Sequence, residues 1–188
     1  MIRSIRLSLP FLLFAGLVPL RPQHGRDAQQ LLDHALRLAD LYNWDDAGKY
    51  FAEAEKLFVG KGDDRNVLLA TLGRIRSTVD QRALHDTSAQ LASDLHNIPL
   101  LRTDKQLRLF CLIVKGDIDT EIDASAMRDD WERILSLAKE LGDTKWQYRA
   151  LAQLGVAAFY EGDLATAGKN VASALAAAAR AGVRIPVM

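Results

Sequence analysis

The sequence predicts an all-α protein assembled from stacked helix pairs, and three observations carry that expectation. The first is a recurring apolar triplet. Ala47, Phe51 and Ala54 return 80 residues later as Met127, Trp131 and Ile134, and 40 residues after that as Ala167, Val171 and Ala174. Each triplet steps by four and then three residues, which sets its members on one face of a helix. The second is punctuation on the same period: Gly62-Asp63 and Gly142-Asp143 lie 80 apart, and Gly182 lies 40 beyond Gly142. A fixed period of this length marks units that bury their apolar faces only against one another. The third is composition. Ala, Leu, Glu, Lys and Arg dominate the periodic segments, and the apolar alternation of a strand is absent.

Four pairs follow in order. The first covers about residues 27–60. Leu31, Leu32, Ala35, Leu38 and Ala39 line its first helix, Tyr42-Asn43 makes the turn, and the second helix carries Ala47, Phe51, Ala54 and Phe58. Gly60 and Gly62 suit a left-handed C-terminal cap, and Asp63 suits the next N-terminus. The second pair covers about residues 63–98. Leu68, Leu69, Leu72, Ile75 and Val79 face inward on its first helix, and Leu84, Leu91 and Leu95 on its second. Asp94 falls where the other pairs carry Ala54, Ile134 and Ala174, so this pair is expected to be distorted or more exposed, and Pro99 ends it.

The third pair starts at Thr103 as N-cap and runs through Leu107, Phe110, Ile113 and Val114 to Gly116-Asp117. Its second helix has the cleanest stripe of the chain: Met127, Trp131, Ile134, Ala138 and Leu141. The fourth begins at Asp143, with Leu151, Leu154, Gly155, Ala158 and Phe159 on its first helix, a turn at Gly162-Asp163, and a second helix over residues 167–181.

The fourth pair resembles a tetratricopeptide repeat (TPR) in Leu154-Gly155, Phe159-Tyr160, Gly162, Ala167 and Ala174. Leu72-Gly73 repeats the first of these elements 82 residues earlier, while the first pair has Tyr42 in place of the turn glycine. On this reading Gly155 and Ala167 let two helices approach closely, Phe159-Tyr160 fill the space between them, and Gly162 permits the tight turn. The resemblance covers about residues 27–182, at a spacing longer than the usual repeat. It implies an α-α superhelix, a TPR-like solenoid of about four antiparallel pairs; a related α-solenoid or a plain helical bundle are the alternatives. It also implies a scaffold that binds a protein or peptide, with the first helix of each pair lining a concave groove. Carried over by phase, that groove takes Gln29, Leu32 and Leu36, then Val67, Arg74 and Ser77, then Gln106, Phe110 and Ile113, and last Arg149, Ala152, Val156 and Tyr160. Arg74 and Arg149 are the candidates for gripping a carboxylate bidentately.

Other function classes find little support. The 24 basic and 24 acidic side chains cancel, and without residues 1–26 the balance is 20 against 24, a net of −4, which argues against a nucleic-acid partner. A calcium loop over residues 117–123 fails, because Ile122 stands where glycine is needed and Arg128 where a bidentate glutamate is needed. That stretch reads instead as a solvated connection, with Asp123 or Ser125 capping the next helix. The four histidines lack the spacing of a zinc site, and the single cysteine, Cys111, sits in the apolar run 107–114 as a small buried hydrophobe. Trp131 belongs to the core stripe, and Trp44 and Trp146, near helix starts, close gaps between units. No catalytic constellation, metal site or cofactor site is expected, and the chain reads as a non-enzyme.

The two ends add context. Arg3 and Arg6 precede fourteen uncharged residues, 7–20, the layout of a secretory signal peptide and shorter than the roughly 20 residues of a membrane span. Pro10 interrupts the run and no clear cleavage site follows, so an uncleaved anchor or an organelle transit peptide are the alternatives. The expected location is exported, periplasmic or in the cell envelope, with the cytoplasm as the other choice, and any membrane contact runs through an uncleaved N-terminus. The alanine-rich run 174–179 presents a face small enough for another helix, from a second copy or from a further repeat. The repeat phase places the start of such a helix at residues 183–188. This reads the chain as a fragment, with the alternative function of an N-terminal sensory segment of a longer peptidase, histidine kinase or nucleotide cyclase.

Overall fold

The computed structural model describes residues 27–182, and all regular structure among them is helical. The expectations for residues 1–26 and 183–188 lie outside the described residues. The elements are α1 (Ala28–Asp40), α2 (Trp44–Lys61), α3 (Asp64–Thr78), a 3-10 turn (Gln81–Ala83), α4 (Leu84–Asn97), α5 (Pro99–Thr103), α6 (Lys105–Thr120), α7 (Ala124–Glu140), α8 (Thr144–Tyr160) and α9 (Leu164–Arg180).

Helix boundaries follow local chemistry. Asp63, Asp104, Asp143 and Asp163 each accept a hydrogen bond from the backbone N–H three residues on, at 3.1, 2.9, 3.1 and 3.0 Å. Such caps satisfy a donor that the helix itself cannot, and each is worth about 1 kcal/mol. Asp104 takes the role expected of Thr103, because α5 runs through Thr103. Pro99 ends α4 and also opens α5 at a first-turn position, where its fixed φ and missing N–H cost nothing. Four turns place glycine in the left-handed region, at Gly62, Gly142, Gly162 and Gly182, and another, between α1 and α2, places Tyr42 there, at φ 60°.

The third pair departs from expectation. Its first helix does not stop at Gly116-Asp117 but continues to Thr120, because Gly116 lies against Trp131 and Ile134, where a side chain would crowd both. Residues 117–120 are therefore helical rather than a solvated connection, and Asp119 is buried. Asp123 does cap α7, accepting from the N–H of Ser125.

Packing is mainly between sequence neighbours: α1 on α2, α2 on α3, α6 on α7, α7 on α8 and α8 on α9. The second pair breaks the series. α6 packs directly on α3, and α4 finds its partners in α5 and α6, burying Leu84, Leu91 and Leu95. Asp94 explains this in part: a carboxylate at the place of an inward apolar residue cannot be buried unpaired. It is half-exposed and accepts from Gln90 at 2.7 Å.

The core divides in two. One cluster joins α1 and α2 through Leu31, Leu32, Phe51 and Phe58 and is covered by Ala70 of α3. The larger gathers Leu72, Leu91, Leu101, Leu112, Trp131 and Leu154 from α3 through α8. α9 joins the fold through small residues, Ala167, Ala174 and Ala178. Close approach there depends on Gly155, whose added Cβ would lie 2.8 Å from Val171 Cγ2 and 3.3 Å from the Ala167 carbonyl. Gly73 serves a different contact, between units: a Cβ there would lie 2.4 Å from the Phe51 ring of the preceding pair.

Candidate functional site

The first helices of the pairs do converge on one face. A hollow of about 270 Å³ is lined by Leu36 of α1, Leu69 of α3, Gln106, Phe110 and Ile113 of α6, and Trp146 of α8. Four residues placed in a groove by phase, Leu36, Gln106, Phe110 and Ile113, therefore share a surface. The rest do not. Leu32 and Val67 pack into the first core cluster. Arg74 turns toward α2 and donates to Glu55, from Nε at 2.7 Å and Nη2 at 3.4 Å. Ser77 faces the same helix beside Gly48 and donates to the Gly73 carbonyl. Val156 and Tyr160 lie on the surface that α8 shares with α9.

Arg149 stands beside the inner hollow but is engaged within the chain. Its Nη2 donates to the Tyr42 hydroxyl at 2.6 Å, and its guanidinium lies 4.8 Å from the Trp146 ring centroid and 5.5 Å from that of Tyr42. Next to it Lys145 donates to both carboxylate oxygens of Asp40 at 2.6 Å. Tyr42 meets Trp44 edge-on at 6.0 Å, and Trp44 lies under the Arg76 guanidinium at 3.9 Å. Arg76 then pairs with Asp117 of α6. This alternation of rings and cations fastens the turn between α1 and α2 to α3, α6 and α8. A left-handed conformation costs a residue with a Cβ about 1–2 kcal/mol, so Tyr42 holds a strained backbone at the centre of the fastening.

Beyond this fastening lies a second hollow, of about 420 Å³, edged by Tyr42, Trp44, Arg76, Asp117, Glu121 and Gln153. Burial pushes the Asp117 carboxyl above the usual range, and the Arg76 guanidinium pulls it only part of the way back. Burial likewise lowers Arg76, whose Nε has no hydrogen-bond partner. A second buried ionic group ties α6 to α7: Lys115 donates to Asp119 at 2.5 Å and to Asp130 at 2.7 Å. Burial, and then the hydrogen bond shared with Asp119, raise the Asp130 carboxyl to about 6. Two carboxyls this close cannot both ionise cheaply, so one keeps a proton into mildly acidic solution.

A broad apolar surface lies elsewhere. On the outer side of α8 and α9, Val156, Phe159, Tyr160, Leu164, Val171 and Leu175 border a shallow hollow of about 600 Å³. Phe159 and Tyr160 are 60% and 65% exposed, so they lie on this surface rather than filling the space between the two helices. Val171 is 43% exposed, whereas its counterparts on the repeat, Phe51 and Trp131, are 0% and 1% exposed. Periodicity marks this face as apolar, but it cannot tell a covered face from an open one.

Burial raises the Cys111 thiol to about 12, which keeps it protonated and inert. Among the described residues no three His, Cys, Asp or Glu side chains gather as metal ligands, and no helix is long and apolar enough to cross a membrane. No family model, no curated protein and no solved structure matches this chain.

Proposed function

We propose that the chain is a protein-interaction scaffold of TPR-like superhelical build, and that its docking surface is the open face of α8 and α9. The occupant is an amphipathic α-helix of a partner protein. The observation that carries this is the register. Phe51 of α2 is covered by α3, and Trp131 of α7 is packed in the core that α8 completes. Val171 of α9 holds the same step but is 43% exposed, with no further helix packed on α9 among the described residues. The helix that covers the first of these faces sets the chemistry of the fourth: α3 brings Ala70 and the bare Cα of Gly73 onto α2. A partner helix with a small and apolar stripe meets the same geometry. The inner hollow is the weaker choice, since Arg74 and Arg149, the groups suited to hold a peptide carboxylate there, already have partners in the chain.

A fluorescein-labelled peptide of residues 64–78 with Arg74→Leu tests the reading, because position 74 then meets Leu175 where α3 meets Glu55. Fluorescence anisotropy should show saturable micromolar binding, weakened about tenfold or more by Val171→Glu. Absence of binding, or binding that survives Val171→Glu and is lost with Phe110→Glu, overturns the assignment. A dimer of the chain alone that Val171→Glu dissolves would assign the face to a second copy and overturn it as well.

A further inference from the structure

A different surface, between α4, α6 and α7, holds a cleft of about 440 Å³, within the range of small-molecule sites. Leu95, Leu112 and Leu137 form its apolar walls, one from each helix. Arg108 of α6 and Arg133 of α7 stand in it, and neither has a carboxylate partner among the described residues. Elsewhere the arginines are mixed: Arg65, Arg74, Arg76, Arg82 and Arg128 each hold an Asp or Glu, whereas Arg37, Arg102 and Arg180 have no carboxylate among the described residues but do not stand in the cleft.

The other charges of the cleft are already engaged. Lys115 faces it but donates to Asp119 and Asp130 behind it. Glu140, the one acid among the described residues that line the cleft, accepts from Lys105 at 2.5 Å. Two free guanidinium groups are left over an apolar floor.

Their spacing follows from the antiparallel register of α6 and α7. The pairs Lys105–Glu140 and Lys115–Asp130 fix that register, which sets Arg108 level with Leu137 and Arg133 level with Leu112. The two arginines are thus one helical turn apart, about 5–6 Å along the axis, within reach of a common anion. Guanidinium groups take carboxylates in strong, charge-assisted hydrogen bonds, and apolar walls reward a hydrocarbon body.

We propose that the α4–α6–α7 cleft binds a small carboxylate with an apolar body, held by Arg108 and Arg133 against Leu95, Leu112 and Leu137. The carboxylate belongs either to a free aliphatic acid or to the last residue of a peptide chain. The site stands apart from the α8–α9 face and does not depend on it.

Titration calorimetry on the full chain tests the proposal with octanoate, with 1-octanol, and with the peptide acetyl-Gly-Ser-Ala-Leu as free acid and as amide. Octanoate or the free-acid peptide should bind one to one, about tenfold or more tighter than its uncharged analogue. Octanoate alone binding identifies a free acid, and the peptide acid alone identifies a chain terminus; each supports the site. The double variant Arg108→Gln, Arg133→Gln should lose about tenfold or more in affinity with its helical circular dichroism unchanged. Ser136→Glu should do the same by bringing an internal carboxylate to the exposed lip of the cleft. Val171→Glu should leave the affinity as it is. Equal binding of acid and uncharged analogue, unchanged affinity in the double variant, or no binding of either acid overturns the proposal.

Discussion

Phe51 of α2 and Val171 of α9 occupy the same step of the repeat, 120 residues apart, and their surroundings could hardly differ more. Phe51 is closed over by Gly73 of α3 and shares a cluster with Leu31, Leu32 and Phe58. Val171 meets Gly155 on one side and solvent on the other, among neighbours that are mostly alanine. The turns differ in the same sense. Gly162 reverses the chain with its left-handed φ at no steric cost, whereas Tyr42 accepts strain and uses its ring and hydroxyl to reach Arg149 of α8. The comparison teaches that one helical pattern serves two ends: Phe51 has a neighbouring helix upon it and is core, whereas Val171, with no further helix upon it among the described residues, is half-exposed although Ala167 and Ala174 beside it are buried.

The largest expected effect sets the two positions directly against each other. Phe51→Ala should cost about 3–5 kcal/mol in urea unfolding, the range for emptying a buried aromatic site, while Val171→Ala should cost less than about 1 kcal/mol. Similar losses at both would mean that the fourth pair is covered after all.

The interior differs from both ends in carrying buried charge, and pH separates that contribution. Asp130 titrates near 6 in the folded chain against about 3.8 for an ordinary aspartate, so the fold favours its protonated form. Its stabilising share is complete below about pH 4, is lost as pH rises through about 6, and is flat above. Unfolding of the native chain and Asp130→Asn should therefore diverge between pH 4 and 6. The variant should escape a loss on the order of 2 kcal/mol over that range. Parallel profiles would show that Asp130 is ionised throughout.

The turns give the smallest contrast. Gly162→Ala should cost about 1 kcal/mol by placing a Cβ in the left-handed region. Tyr42→Gly relieves a strain of similar size but loses the bond to Arg149 and the contact with Trp44, so its net change should stay within about 0.5 kcal/mol. A gain of about 1 kcal/mol or more from Tyr42→Gly would show that the fastening between the first turn and α8 contributes nothing.

Local features are the legible ones. Ala47, Phe51 and Ala54 and their two echoes lie inward as their spacing predicts, apart from Val171, and Asp63, Asp143 and Asp163 cap helices where the punctuation places them. Asp94 announces the irregular second pair. Two errors have one cause, a local rule overridden by tertiary packing. Gly116 reads as a stop but is the notch that admits Trp131, and Phe159-Tyr160 read as filling although they lie exposed, with no helix over them among the described residues. The fastening was beyond such reasoning. It joins Asp40 to Lys145 and Tyr42 to Arg149 across more than a hundred residues, and its one local trace is a tyrosine where the turns at Gly62, Gly142 and Gly162 have glycine. Arg74 and Arg149 fall on the expected helices, yet helical phase says nothing about Glu55 or Tyr42 reaching them first.

Hydrogen exchange on α2 and α9, with and without the helical peptide of residues 64–78 carrying Arg74→Leu, tests the account most directly. In the free chain α9 should exchange faster than α2, and saturating peptide should slow α9 about tenfold or more while leaving α2 unchanged. Equal protection of the two helices in the free chain, or slowing confined to α6 around Phe110, would contradict it.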